Sequence, residues 1–474
     1  MFDRVSMLLD GKVERKNGET EKIEEVADEN DAVNTMISTL KGDTYKDLKG
    51  VDTVSTNNYN NVYTTGLSQN DLLVGLRGTT DTNGKSSGYL GGVAGFNTVN
   101  GTITRAATGK WFVYGDNTTD ESKIGGMIGM NEATGEVKLL VNCAAVRRFT
   151  RTGGTNDDDT THRNIEKIAY VGGVIGVQQN TADDKWVISE CVNLGTVFDS
   201  GSNYIGGIIA SWLKNGGTIE KSFNFGSLST NTNFGNGSGT VGGIVGFFDQ
   251  PTPGGTANIL SCQNHGDILS CGNWEGDKKH GANDVAGILG KVVMADGAND
   301  YLRINIVDCV NGDVSMWCES LAAGIMGWLG PYGDGGTKIP DKVEVYIDRC
   351  RNYATDVTIY HKSNDTNLFA GICGNRGNGS ATSASTTVTN CFALYKNTVS
   401  TNNAPIAMNR GRENIVAYGN YFMDENSFEE KKIAALLKLT EGTPSGEATA
   451  NEGRTYGTSC KTVSYTHLRA HETL

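Results

Sequence analysis

A seven-residue motif recurs eight times along this chain of 474 residues, and that repetition constrains the fold more than any other feature. Its copies are YLGGVAG ending at Gly95, KIGGMIG at Gly129, YVGGVIG at Gly176 and YIGGIIA at Ala210. TVGGIVG ends at Gly246, DVAGILG at Gly290, LAAGIMG at Gly327 and LFAGICG at Gly374. The second glycines are Gly92, Gly126, Gly173, Gly207, Gly243, Gly287, Gly324 and Gly371, with a mean spacing of about 40 residues. A ninth, decayed copy spans Asn402 to Gly411, with Pro405 where glycine belongs.

A second motif alternates with the first: Ile/Leu/Val-x-x-Cys, often followed by x-Asn and then Gly. Its small anchoring residues are Cys143, Cys191, Ser222, Cys262, Cys309, Cys350 and Cys391, with a looser copy at Ile103/Ala106. The asparagines are Asn193, Asn224, Asn264, Asn311 and Asn352. Between the motifs lie polar stretches of variable length, such as NTNFGNGSGT and GNWEGDKKHGAND, which read as loops.

Each motif is too short for a helix and is bounded by turn residues, so each reads as strand. No helical pattern separates them, which argues against βαβ units. The spacing therefore predicts an all-β fold: a right-handed parallel β-helix of about eight or nine coils, three strands per coil. In the coil of Cys191 those strands are WVISEC, GTVFDS and YIGGIIAS. Equivalent residues would stack as cysteine, asparagine and glycine ladders. Coils about 4.8 Å apart give a rod of roughly 40 Å.

Short flanking helices are expected at the ends. Val33, Met36, Ile37 and Leu40 share a helical face ahead of Gly42, and Ser427 with Glu430 forms a capping-box pattern ahead of IAALLKL. The expected organisation is a helical or irregular segment at 1–60, the repeat domain at 61–423 and a helical cap at 424–462. Residues 463–474, VSYTHLRAHETL, share no pattern with the rest and read as a non-native read-through tail.

Composition narrows the partners. Formal charge is −13, so phosphate backbones and anionic membrane surfaces are poor partners, and no apolar run is long enough to span a membrane. No nucleic acid and no cofactor is expected. The 63 Gly against 6 Pro exclude collagen and most low-complexity disorder. No signal peptide is legible, and the chain is expected to be a fragment of a longer one.

The paired motifs, over residues 85–411, resemble the GLUG-motif repeat family of bacterial surface and secreted proteins. The resemblance implies a right-handed β-helix outside the cell, carried as a passive part of a larger chain. Ala replaces the first glycine in the last three copies, which departs from the family pattern.

The chemistry-bearing residues have structural readings beside functional ones. The cysteines form no CxxC pair, so zinc or redox use is not expected, although Cys271 and Cys318 sit equivalently to Cys262 and Cys309 and are candidates to bond. Asp157, Asp158 and Asp159 offer carboxylates for Ca²⁺; a solvated acidic loop is the simpler reading. Asp308, Arg349 and Arg351 are the candidates for a lyase or hydrolase site on an outer face. Apolar residues of both parities in the glycine strand leave Ile208, Ile244, Ile288 and Ile325 either covered by loops or forming a partner-binding ridge.

The expected function is a non-catalytic extracellular module: a stalk or an adhesion scaffold that binds a surface protein or glycan. The alternatives are a β-helix polysaccharide lyase or glycoside hydrolase, and the spacer of a larger surface peptidase.

Overall fold

The computed structural model describes residues 87–109, 112–117, 121–150, 168–179, 186–199, 204–213, 216–230, 239–250, 255–270, 284–294, 302–331, 343–359, 368–374, 385–395, 402–407 and 414–424. It also describes short strands at 13–14, 20–21, 73–76, 274–275, 278–279 and 440–441. The described residues form strands and turns and contain no helix. The predicted helices around Val33–Leu40 and after Ser427 lie outside them. Three short strands fall in the flanking segments where helical or irregular structure was expected. Val13–Glu14 pairs antiparallel with Thr20–Glu21, and Thr440–Glu441 pairs antiparallel with Tyr421–Phe422.

The repeats stack as four parallel sheets, one more than the sequence predicts. The coil of Cys191 shows why. Trp186–Ser189 and Val192–Asn193 lie in the first sheet, and Val197–Asp199 in the second. The glycine motif then supplies two strands, Tyr204–Gly206 in the third sheet and Ile209–Leu213 in the fourth, with Gly207–Ile208 as a bend between them. Strands of successive repeats pair in parallel: Ile188 with Ile219, Val197 with Leu228, Ile205 with Val241 and Ile209 with Val245. The first sheet carries nine rungs, from Ile103–Ala107 to Asn414–Asp424.

Alternation drives the first sheet. In Val343–Asp348, Val345 and Ile347 are fully buried while Glu344 and Tyr346 keep solvent contact. The interior holds two apolar columns. One runs through Ile188, Cys191, Ile208, Ile209 and Trp212 and their equivalents, the other through Val197, Ile205, Leu228 and Val241. Among the described residues no helix is long and apolar enough to cross a membrane.

Each first-sheet rung also contains a left-handed residue. Arg105, Leu139, Glu190, Lys221, Ser261, Asp308, Arg349 and Asn390 have φ between 46° and 58°, and Gly419 holds the same place at 65°. Such a non-glycine residue costs about 1 kcal/mol or more. Coil-to-coil hydrogen bonds at the bend oppose that cost, as in Lys221 N–H to Leu260 O at 2.9 Å and Ser261 N–H to Val307 O at 2.9 Å. The bend brings the cysteine position back to face the interior.

Candidate functional site

The asparagine and glycine ladders meet. Each asparagine side chain crosses the interior from the first sheet to the backbone of a motif glycine. A Cβ on Gly207 would lie 2.4 Å from Asn224 Cγ and 2.1 Å from Gly243 O. Gly126 faces Asn142, Gly173 faces Asn193, Gly243 faces Asn264, Gly287 faces Asn311 and Gly324 faces Asn352 in the same manner. The glycine is required because the asparagine occupies the space of its side chain. At the eighth copy the facing residue is Ala393, against Gly371, and one rung later the glycine itself becomes Pro405.

Along the stack the amides form one directional chain. Asn142 Nδ2 donates to Asn193 Oδ1 at 2.8 Å, Asn193 to Asn224 at 2.8 Å and Asn224 to Asn264 at 2.8 Å. Asn264 donates to Asn311 at 3.0 Å and Asn311 to Asn352 at 2.8 Å. Thr108 Oγ1 starts the chain by donating to Asn142 Oδ1. Most Nδ2 groups also donate to the carbonyl two residues on, for example Asn193 to Gly195 O at 2.9 Å. The buried amides are thus satisfied, which burial demands. Sequence reasoning missed Asn142. It also misplaced Cys143: the register sets Val137 against Ile188 and Val141 against Val192, so Leu140 holds the cysteine position and Cys143 falls three residues later. A rung without cysteine gave no local signal for the shift.

Cys191, Cys262, Cys309, Cys350 and Cys391 are fully buried free thiols in one column, interrupted by Ser222. Each donates to the carbonyl two residues earlier, as Cys309 Sγ does to Val307 O at 3.4 Å. Burial pushes the Cys191 thiol up to about 12, and it drives Cys309, Cys350 and Cys391 well above the usual thiol range. These are packing groups held neutral. Cys318 is likewise a buried free thiol, in the second sheet; Cys271 lies outside the described residues.

The partner ridge is overturned. Ile208, Ile244, Ile288 and Ile325 are all 0% exposed and belong to the interior column. The reason is the bend: both parities turn apolar because the motif is two strands, not one. At this corner the outer sides of the third and fourth sheets face each other. Tyr204 stacks on Phe247 across them with ring centroids 4.0 Å apart, and on Tyr170 along the stack at 5.6 Å. The chain's own strands, rather than loops, cover this outer side.

The outer-face candidates are bound to one another. Arg349 makes a bidentate pair with Asp308, 2.7 Å through Nε and 2.8 Å through Nη2, and also bonds Asp348. Asp348 accepts from Thr389 at 2.7 Å and Asn390 at 2.9 Å. The bonds to Asp308 raise the Arg349 pKa above its usual value. Arg351 is half-buried on the neighbouring strand. Asp157, Asp158 and Asp159 lie outside the described residues. Among the described residues no group of three or more His, Cys, Asp or Glu is placed to hold a metal ion.

One charge pair escaped sequence reasoning. Arg148 and Asp199, register partners in the second sheet, are 1% and 0% exposed and meet at 3.3 Å. Burial lowers the Arg148 pKa and the carboxylate opposes that shift. Nothing local in the sequence marks the partner of Arg148, which lies 51 residues away.

No protein-family model matches this chain, and no curated protein or solved structure matches it.

Proposed function

We propose that this chain is a non-catalytic extracellular repeat module, a right-handed parallel β-helix of GLUG-motif type that serves as a stalk or binding scaffold in a bacterial surface or secreted protein. One observation carries the reading: the register runs unbroken through nine first-sheet rungs, and the motif residues of each coil are spent on its neighbours. Nine rungs about 4.8 Å apart make a rod of roughly 40 Å. Right-handedness is supported by the chirality rule for crossovers between parallel strands of one sheet. The repeat motifs and their two-motif alternation support the family reading. On this reading the loops between strands, variable in length, carry any contact with a surface protein or glycan.

The test combines shape with activity. Small-angle scattering is expected to give an elongated particle, and arrays of glycans and surface proteins are expected to retain the chain without releasing product. Release of unsaturated or shortened oligosaccharides from acidic polysaccharides would overturn this reading in favour of a lyase or hydrolase. The decisive variant there is Arg349→Ala, which should change nothing if the Asp308–Arg349 pair is only structural.

A further inference from the structure

The left-handed column on the outer face of the first sheet carries its charges in a definite order. Ser261 stands on the middle one of the nine rungs. One and two rungs before it stand Lys221 and Glu190; one and two rungs after it stand Asp308 and Arg349. Opposite charges therefore lie at equal distances on either side of Ser261.

A column with this order is complementary to itself in reverse. Two copies laid face to face and antiparallel, with a two-fold axis at Ser261 along the strand direction, set Glu190 of each against Arg349 of the other and Lys221 against Asp308. Arg349 and Asp308 are bonded within their own chain, yet 51% and 47% of their side chains stay exposed. Glu190 and Lys221 make no ion pair of their own among the described residues. The four charges brought together on each side of the axis alternate in sign. Beside the column, half-buried Leu260 meets Leu260 of the second copy.

Repulsion selects this register. A slip of one rung sets Glu190 against Asp308 in one direction and Lys221 against Arg349 in the other. A slip of two rungs sets Arg105 against Arg349, or Asp308 against itself. A parallel arrangement with the column facing itself opposes every charge with its own copy. Like charges placed opposite one another disfavour all of these. The face is also large enough. Nine rungs about 4.8 Å apart, each a strand of six residues, present about 800 Å² per partner, which is the size of a standard stable interface. Val187, Val416 and Tyr418 stand on the same face and are 38–52% exposed.

We propose that the outer face of the first sheet is the interface of an antiparallel homodimer centred on Ser261.

Sedimentation of the full chain tests this. The unmodified chain is expected to pass from 50.5 kDa toward twice that mass as its concentration rises, and to do so less readily at high salt. Glu190→Lys combined with Lys221→Glu keeps the net charge but opposes like charges, and it should weaken association at least ~10-fold. Asp308→Arg combined with Arg349→Asp should do the same. An equimolar mixture of the two double variants should form dimers again, because each charge then meets its opposite. A chain that stays monomeric at every concentration overturns the proposal, as does association that the first double variant leaves unchanged. Should either double variant fail to fold, as judged by its melting curve, Lys221→Glu alone replaces it, and association must then weaken at least ~3-fold for the proposal to stand.

Discussion

The first and last coils of this stack are built from the same motif and differ at its inward position. In the first, Tyr89, Val93, Phe96 and Val99 are between 37% and 46% exposed. In the last, the inward-facing Ile406, Ala407, Ile415 and Ala417 are at most 1% exposed, although the outward-facing Val416 and Tyr418 are exposed, and an antiparallel strand, Thr440–Glu441, pairs with Tyr421–Phe422. Val93 and Ile406 hold the same motif position. The difference teaches that the motif specifies a coil but not its environment. Burial comes from the neighbour on each side, and an end needs a different element to supply it. A reversed strand is such an element, since its antiparallel pairing breaks the parallel repeat.

The largest effect expected from this contrast is in the interior isoleucine column. Ile208→Ala should lose about 3 kcal/mol in urea denaturation, whereas Val93→Ala, at the same motif position, should lose less than about 0.5. Equal losses would show that the first coil is covered after all. Next comes the amide chain. Asn224→Ala removes an acceptor from Asn193 and a donor from Asn264 and opens a void against Gly207, and it should lose about 2 kcal/mol. The thiol column gives a pH signature. Cys191 titrates near 9 when unfolded and about 12 when folded, so the folded state holds its proton more tightly. Its contribution is fully present below pH 9 and is lost as pH rises from about 9 to 12, at roughly 1 kcal/mol per pH unit. Cys191→Ala should make that alkaline decline shallower by one thiol's share in a pH series of melting curves, the other buried thiols keeping theirs. The smallest effect has the opposite sign. Ala393→Asn places an acceptor beyond Asn352 where Gly371 leaves room, and it should gain about 1 kcal/mol.

Much of this architecture was legible because its residues repeat. Parallel stacking, the ladders and the failing last copy at Pro405 could all be read from motif spacing. The fourth sheet could not, because YIGGIIA is continuous in sequence and its bend lies in the Gly207–Ile208 backbone. The left-handed column was also hidden. Arg105, Leu139, Glu190, Lys221, Ser261 and Arg349 are not the residue types that favour positive φ; only Asp308, Asn390 and Gly419 are. There the stacked hydrogen bonds override local preference. The pairing of asparagine with glycine was missed for a simpler reason: it crosses the interior between motifs that look independent. The same holds for Arg148 and Asp199.

The amide chain has a direction, since every Nδ2 points toward the C-terminal rung and every Oδ1 toward the N-terminal one. A duplicated coil inserted anywhere between Asn142 and Asn352 would therefore find a donor on one side and an acceptor on the other. Such a stack can lengthen or shorten by whole repeats through gene duplication or deletion, with no compensating change to the amide chain. A fractional turn would leave both the amide chain and the glycine seam out of phase.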